Sequence, residues 1–271
     1  MTDNAARPLD TSKPHSARMY DYYLGGKDNY AADATAAGRV AEVYPGIFDC
    51  ARENRAFMHR ATRVLARDHG IRQWLDIGTG IPTEPNLHQV AQEIVPEARV
   101  VYADNDPLVL RHAERLMRST TEGRTAYIEA DVNDPESILT SPGLAEVLDL
   151  SKPVALSMNA LMHFVTDAQD PYGLVGRYLD ALAPGSALAL SHCTPDFDKE
   201  TWQGVTDIYN TSGTPVQFRT RAEVTRFFDG LELLAPGVVV GHRWRPDGTE
   251  PEAEELSDAQ ISLWAGIGLK S

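Results

Sequence analysis

The stretch Leu75–Thr83, which reads LDIGTGIPT, decides the fold predicted for this chain. A short apolar run leads into it and predicts a buried strand, which Asp76 closes. Gly78 and Gly80 lack Cβ atoms, so a ligand can approach the backbone of this turn closely. Thr83 is expected to be the N-cap of the helix that follows. A strand, a glycine turn and a helix N-terminus together form the parts of a nucleotide-type binding site.

A second apolar strand, at residues 100–104, ends in Asp104 about twenty residues further on, where an acid typically binds ribose hydroxyls. The dinucleotide fingerprint requires a third glycine, and Thr83 stands in that position. The chain also has no Walker A sequence. Asp76, Glu84 and Asp104 instead give the turn an acidic rim. Such a rim suits a ligand with positive charge and free hydroxyls, and S-adenosylmethionine is one.

The rest of the chain alternates between strand-like and helix-like segments, which predicts a mostly parallel α/β sheet with helices on both faces. Two later strands suggest a terminal hairpin that adds an antiparallel strand. The expected domains are a flexible tail at 1–16, an N-terminal helical cap at 17–70, and a core at 71–271 with a lid-like insertion near 192–217. The predicted strands are 72–77, 99–104, 125–130, 153–158, 187–191, 231–244 and 261–269, and the predicted helices are 84–94, 107–119, 135–148 and 171–182.

Composition narrows the possible partners and the compartment. The 271 residues carry a formal net charge of −14, which repels nucleic-acid backbone and anionic membrane surfaces. The two cysteines, Cys50 and Cys193, give neither a disulfide framework nor a metal-binding spacing. Cys50 is expected in the core, whereas Cys193 follows the fifth strand, near where ligands bind. Without a signal peptide or a membrane-spanning apolar run, the chain is expected to be cytoplasmic, with no metal site.

Several stretches carry a resemblance that covers nearly the whole chain after about residue 16. With them the chain resembles the class I S-adenosylmethionine-dependent methyltransferases and, more narrowly, the actinobacterial S-adenosyl methyltransferase family, DUF574. The resemblance implies S-adenosylmethionine as cofactor and a Rossmann-like class I methyltransferase sheet. The matching stretches are ARMYDYYLGGKDNY (17–30), ARENRAF (51–57), QWLDIGTGIPT (73–83), VVYADNDP (100–107), the pair at 130–131, LMHF (161–164), and the segments around 184–186 and 244–246.

The cofactor is expected to lie along the strand ends. Asp104 can accept hydrogen bonds from both ribose hydroxyls, and Asn105 follows it. Asp106, which precedes a proline, is better explained as a helix N-cap than as a ligand. The resemblance assigns Asp131 to the adenine amino group. The predicted cofactor-binding residues of the core are Asp76, Gly78, Thr79, Gly80, Asp104, Asn105, Asp131 and Val132.

The tyrosine-rich N-terminal stretch has two explanations. Tyr20 and Tyr23 could cap the cofactor, with Gly25 and Gly26 allowing close approach. Alternatively, an amphipathic helix packs these tyrosines on the core. Arg55 or Arg18 could meet the methionine carboxylate of the cofactor, and the sequence does not choose between them.

Asn159 ends the fourth predicted strand, where methyltransferases often position the acceptor. His163 lies one helical turn later and is the candidate general base, although a structural histidine is the competing explanation. We therefore expect an enzyme that methylates an oxygen or nitrogen atom of a small-molecule acceptor. A sensor that binds S-adenosylmethionine without catalysis is the alternative, and a nicotinamide-dependent oxidoreductase is less favoured. The sequence identifies neither the acceptor nor the oligomeric state.

Overall fold

A computed structural model describes residues 10–109, 112, 119–248 and 256–271. In this part of the chain an eight-stranded sheet forms the centre. Its apolar strands are buried on both faces, as expected of a sheet covered by helices on each side. The strands are β1 Gln73–Ile77, β2 Arg99–Asp104, β3 Arg124–Glu129, β4 Ala155–Asn159, β5 Ala187–Cys193, β6 Glu232–Leu233, β7 Val239–Val240 and β8 Leu263–Leu269.

Helices precede and flank the sheet. The described helices are α1 Ser16–Tyr23, α2 Ala31–Val43, α3 Ile47–Asp68, α4 Leu87–Ile94, α5 Pro135–Leu139, α6 Pro142–Val147, α7 Pro171–Asp180, α8 Lys199–Thr211, α9 Arg221–Thr225 and α10 Asp258–Ile261. Residues 107–109 are also helical, but most of the helix predicted at 107–119 lies outside the described residues. None of the helices in the described ranges combines the length and the apolar character needed to cross a membrane.

The sheet order is β3-β2-β1-β4-β5-β8-β6, with β7 also pairing to β8. The first five strands are parallel, and β8 runs antiparallel to β5, β6 and β7. The predicted mostly parallel Rossmann-like sheet with an antiparallel C-terminal strand is confirmed. The strand order reverses between β1 and β4, and open α/β sheets bind ligands at the carboxyl ends of such strands.

The strand predicted at 231–244 is wrong as a single element. The chain forms only β6 and β7, followed by a 3-10 turn at Gly241–Arg243. Pro236 has no N–H to donate to a neighbouring strand, and Gly237 has a left-handed φ of 83°. A hydrogen bond of 2.8 Å from the Gly237 N–H to the Leu234 carbonyl closes this turn. The predicted hairpin is therefore interrupted on its first arm.

Thr83 is not a helix N-cap, which corrects the sequence prediction. Its hydroxyl donates to the Ile81 carbonyl at 3.3 Å, and α4 begins only at Leu87. Asn86 is the N-cap, and Gln89 Oε1 accepts from the Asn86 N–H at 2.6 Å in a capping box. The glycine turn is therefore followed by a short irregular segment before the helix starts.

Two other predicted segments differ in detail. The helix predicted at 135–148 is two helices, because Ser141 caps α6 and Pro142 starts it. The connection at 192–217 contains helix α8, which packs against α2. Whether this segment acts as a lid stays a prediction.

The N-terminal helices pack on the same core as the sheet. Met19, Val40 and Leu156 belong to one cluster of buried side chains. Residues 1–9 of the predicted flexible tail lie outside the described residues. Asp10, within that tail, accepts a hydrogen bond of 2.9 Å from Arg18 through its carbonyl. The His15 N–H donates to Asp33 Oδ1 at 2.8 Å. These bonds attach the start of α1 to the rest of the protein.

Candidate functional site

A cavity of roughly 1300 Å³, including its open mouth, lies at the carboxyl ends of the parallel strands. Helix α1, the first half of α3, helix α8 and the strand ends all contribute to its lining. Most of the residues predicted for the site line it: Tyr20, Tyr23, Arg55, Asp76, Gly78, Thr79, Gly80, Asp104, Asn105, Val132, Asn159 and His163.

The glycine turn after β1 requires both of its glycines. Gly78 and Gly80 have left-handed φ values of 73° and 67°, which side chains rarely adopt. A Cβ on Gly78 would also lie 2.6 Å from a methyl carbon of Leu161. A Cβ on Gly80 would meet no atom of the described residues within 4 Å. The backbone at Gly80 is therefore open to a ligand on the side where a side chain would stand.

Asp104 is the buried carboxylate at the end of β2. Its Oδ2 accepts from the Gly80 N–H at 2.8 Å, and its Oδ1 accepts from the Asp106 N–H at 2.9 Å. Burial raises the pKa of Asp104, while these two N–H groups act in the opposite direction. Each carboxylate oxygen has a second acceptor site, so Asp104 can still take hydrogen bonds from two hydroxyls. Asn105, beside it, is exposed.

A hydrogen-bonded chain links the ends of β1 and β4. Ser157 Oγ donates to Asp76 Oδ1 at 2.6 Å, and Asn159 Nδ2 donates to Ser157 Oγ at 2.8 Å. Burial raises the pKa of Asp76 to about 6, against the hydrogen bonds from Ser157 and Thr79. Asn159 Oδ1 is buried and has no hydrogen-bond partner among the described residues. This oxygen is thus a free acceptor beside the cavity.

His163 lies on the 3-10 turn Met162–Phe164 that follows β4, and it is 5% exposed. Its ring centroid is 4.4 Å from Phe164, 5.4 Å from His192 and 5.6 Å from Phe218. Burial lowers the pKa of His163 well below 6.5, and His192 and Arg219 add to the effect. The ring is therefore neutral at neutral pH. Its Nδ1 is buried without a hydrogen-bond partner in the described part of the chain.

Arg219 holds the segment that carries His163, and the sequence prediction missed it. Its guanidinium is buried and donates to the carbonyls of Met162 and Val165, both at 2.9 Å. It also donates to Asp167 Oδ1 at 2.8 Å and to His192 Nε2 at 3.1 Å. A lone arginine before a capping box carries no sequence pattern that would reveal this role.

A second missed network connects α1, α3 and β5. Asn54 Nδ2 donates to the Tyr20 hydroxyl at 2.8 Å, and Ser191 Oγ donates to Asn54 Oδ1 at 2.5 Å. The Tyr20 hydroxyl in turn donates to the Ala51 carbonyl at 3.0 Å. The available signal was Asn54 itself, a polar residue on the otherwise apolar stripe of α3. The network fixes Tyr20 against the cavity wall.

The structure separates the two candidate arginines. Arg18 is buried and forms a two-point ion pair with Asp106, at 2.8 Å and 3.0 Å. Asp106 Oδ1 also accepts from the Leu108 N–H at 2.9 Å, which confirms its prediction as an N-cap. Arg55 lines the cavity, and its Nη2 donates to the carbonyls of Thr83 and Pro85. Of the two arginines only Arg55 lines the cavity, and its contact with a cofactor carboxylate stays a prediction.

Three predicted site residues lie outside the cavity lining. Gly25 and Gly26 are exposed and end α1: Gly25 has a φ of 77°, and a Cβ on Gly26 would lie 1.9 Å from Asp21 Oδ1. They serve the turn rather than a ligand. The Asp131 carboxylate is exposed and accepts from Asn133, at 2.9 Å from its N–H and 2.8 Å from its amide. Its contact with adenine stays a prediction, whereas Val132 does line the cavity.

Comparisons with known proteins also match this chain to S-adenosyl methyltransferases. A family model described as S-adenosyl methyltransferase matches residues 2–271. A DUF574 family protein of known structure from Streptomyces avermitilis MA-4680 is 47% identical, with a TM-score of 0.94; the match covers 97% of this chain and 100% of that chain. A proposed methyltransferase from Thermobifida fusca YX is 41% identical, with a TM-score of 0.87 and 97% of each chain covered.

A more distant structure supports the fold alone. An O-methyltransferase family protein from Burkholderia thailandensis is 15% identical, with a TM-score of 0.52 over 96% of this chain and 64% of that chain. A search among curated proteins finds no match.

Proposed function

We propose that this chain, which belongs to the S-adenosyl methyltransferase family, methylates an oxygen or nitrogen atom of a small-molecule acceptor in the cavity at the end of its sheet. Family membership makes the protein an S-adenosylmethionine-dependent methyltransferase. The proposal concerns the position of the cofactor, the residues that orient and deprotonate the acceptor, and the chemistry of the acceptor.

The residues at the ends of β1 and β2 fit S-adenosylmethionine. The open backbone at Gly80 and the buried carboxylate of Asp104 suit a ribose, because the acid can accept from two neighbouring hydroxyls. Asp76 would face the positive charge of the methionine part. Arg55 would meet its carboxylate. Tyr20, held by Asn54, would close the cavity from the side of α1.

The proposed roles of Asn159, which ends β4, and His163, which follows it, rest on two buried polar atoms that lack hydrogen-bond partners among the described residues. Asn159 Oδ1 and His163 Nδ1 both belong to cavity-lining residues, and neither has a hydrogen-bond partner among the described residues. Buried polar atoms without partners are rare and call for an explanation. A hydroxyl or amino group of the acceptor, reached through a small side-chain shift, would satisfy them.

The bound cofactor supplies an electrophilic methyl group on a sulfonium sulfur. The protein's task is then to align the acceptor and to accept one proton. Asn159 would orient the acceptor through its free Oδ1. His163 is neutral because burial lowers its pKa well below 6.5, so it can take the proton from the acceptor oxygen or nitrogen. The aromatic walls around His163 would exclude water from this end.

The experiment combines binding with turnover. The protein is first titrated with S-adenosylmethionine, then incubated with its methyl-labelled form and fractionated cell extract to find a labelled product. Against that product, His163→Ala should keep its cofactor affinity and lose about 10²–10⁴ in kcat. His69→Ala, at the C-cap of α3 and outside the cavity lining, serves as the matched control and should keep full activity.

Two outcomes would contradict the proposal. Full turnover by a folded His163→Ala protein would remove the base role. Tight cofactor binding with no labelled product from any fraction would contradict the small-molecule acceptor and favour a sensing role. Because the pKa of His163 is low, protonation should reduce the rate only below pH 6.5, and the rate should stay level above it.

A further inference from the structure

The cavity has two chemically different ends. Its charged acids and arginine, Asp76, Asp104 and Arg55, lie at or beside the ends of β1 and β2. The residues that line the other end come from α8, from the start of α3, from β5 and β8, from the end of α1, and from the segments that hold His163 and Phe218. The sheet order separates β2 from β5 by three strand steps, which is roughly 14 Å at the usual strand spacing. The cavity therefore extends well past the part assigned to the ribose.

The second end, called the apolar end here, is defined by its lining. None of the described residues that line it is an aspartate, glutamate, lysine or arginine. These residues are Tyr23, Ile47, Cys50, His163, Phe164, Cys193, Trp202, Val205, Tyr209, Phe218 and Leu263.

Aromatic rings form much of the wall at the apolar end. Trp202 and Phe218 meet at 4.5 Å between ring centroids, and Phe164 and Tyr209 meet at 5.8 Å, both edge to face. Such arrangements present flat faces and positive edges to a neighbouring ring. Since Tyr23 and Tyr209 place their hydroxyls 3.5 Å apart, the wall also offers two hydroxyl groups. A flat ring with one polar group matches this lining better than a flexible chain does.

Four titratable side chains at this end, Tyr23, Tyr209, His163 and Cys193, are held neutral. Burial raises the pKa values of Tyr23 and Tyr209 and lowers that of His163. The pKa of Cys193 is raised by its hydrogen bond with Cys50 and by burial. Arg219, behind His163, does not line the cavity and is paired with Asp167. An anionic ligand would lose its hydration here without gaining a countercharge.

We propose that the acceptor is an uncharged, planar aromatic molecule with one hydroxyl or amino group, seated at the apolar end. This inference rests on the proposed function, because it assigns the cofactor to the other end of the same cavity. Trp202 and Phe218 then determine specificity by holding the ring. A carboxylate or phosphate on the acceptor is disfavoured, because none of the described residues that line the apolar end carries a positive side chain.

The test measures binding to the full chain saturated with S-adenosylhomocysteine. The probes are 2-naphthol, 2-naphthoate and trans-2-decalol, which vary charge and flatness at nearly constant size. We expect 2-naphthol to bind at least about tenfold tighter than 2-naphthoate and several-fold tighter than the saturated decalol, by calorimetry. Equal or reversed affinities, or no binding of 2-naphthol up to about 1 mM, would overturn the inference.

A second experiment introduces a charged side chain into the lining of the apolar end. Phe218 is only half-buried, so Phe218→Lys introduces a cation at the apolar end, with Phe218→Leu as its uncharged control. The lysine variant should bind 2-naphthoate at least about tenfold tighter than the leucine variant does. If both variants bind it equally, the cavity end is wrongly assigned. If the lysine variant does not fold, the probes on the unmodified protein decide alone.

The outcomes of these experiments also distinguish a failure of this inference from a failure of the proposed function. A protein that binds no S-adenosylhomocysteine would overturn the proposed function and this inference together. A protein that binds S-adenosylhomocysteine but does not prefer the neutral ring would overturn only the inference.

Discussion

The carboxylate of Asp104 serves both the glycine turn and the proposed ribose contact. Asp104→Ala should weaken S-adenosylhomocysteine binding by roughly 1.5–3 kcal/mol, the scale of hydrogen bonds to a charged group. Asp104→Asn should lose less, because an amide oxygen still accepts. Calorimetry measures the affinity, and thermal unfolding shows whether the turn survives. Glu129→Ala removes an exposed acid at the end of β3 and should change neither. Unchanged affinity in a folded Asp104→Ala protein would contradict the ribose assignment.

Asp76 should make cofactor binding depend on pH. Since burial raises its pKa to about 6, its carboxyl is mostly neutral near pH 5 and mostly charged near pH 7. The cofactor carries positive charge, so its affinity should rise with pH by up to about tenfold over this interval. Asp76→Asn should remove most of the rise. Titration at several pH values checks this, and an equal rise in both proteins would rule Asp76 out.

Sequence predicted those site residues that adjoin regular elements. Asp104 and Asn159 each end a strand and Asp76 is the last but one residue of β1, so the pattern of apolar runs located them. Arg219 could not be found in this way, because its role depends on a segment 52 to 57 residues away in the chain. The prediction that Gly26 lies close to the cofactor is not supported by its position. A glycine needed for close approach to Asp21 cannot be distinguished in the sequence from one needed for a ligand.

A buried ion pair is one of the contacts that attach helix α1 to the site. Arg18 binds Asp106, which lies two residues after Asp104, and α1 residues Ser16, Ala17 and Tyr20 line the cavity. Removing one partner of a buried pair costs about 3–5 kcal/mol. Arg18→Met should therefore loosen α1, lower the thermal stability and weaken S-adenosylhomocysteine binding.

Arg52→Ala is the matched control for this prediction. Arg52 is exposed on α3 and pairs with Asp49, and an exposed pair is worth at most about 1 kcal/mol. It should leave both stability and affinity nearly unchanged. If Arg18→Met binds the ligand like the unmodified protein, α1 does not act as a cap, and its tyrosines only pack on the core.

Helices and strands are predictable from the sequence where the local preference of a segment agrees with its packing in the fold. The five parallel strands are apolar runs bounded by turn residues, and each was located to within about two residues. The start of α4 is not predictable in this way, because Thr83 and Asn86 are both acceptable caps and only the path of the chain selects between them. The prediction of one strand at 231–244 is wrong because it followed the apolar pattern and gave too little weight to Pro236, which interrupts a strand.

Ligand binding should stabilise the whole protein, because the cavity is lined from α1, α3 and α8 as well as from the sheet. A ligand that binds only the folded state adds about 2.7 kcal/mol at 100 times its Kd. For a protein of this size that corresponds to a rise in Tm of about 5–11 °C. Thermal unfolding with S-adenosylhomocysteine measures it, and NAD at the same concentration should give no shift. A shift with NAD alone would contradict the cofactor assignment.

The position of β8 has a consequence for how the protein is made on the ribosome. In the described part of the chain, β6 and β7 pair only with β8, and β8 also covers the free edge of β5. Translation at about 5–20 residues per second leaves that edge exposed for several seconds after β5 is synthesised. Nascent chains arrested before Leu263 should thus be sensitive to protease and prone to aggregation, whereas released full-length chains should resist both. Among the described strands β8 is translated last and completes the sheet, so the core can fold fully only after β8 has been synthesised.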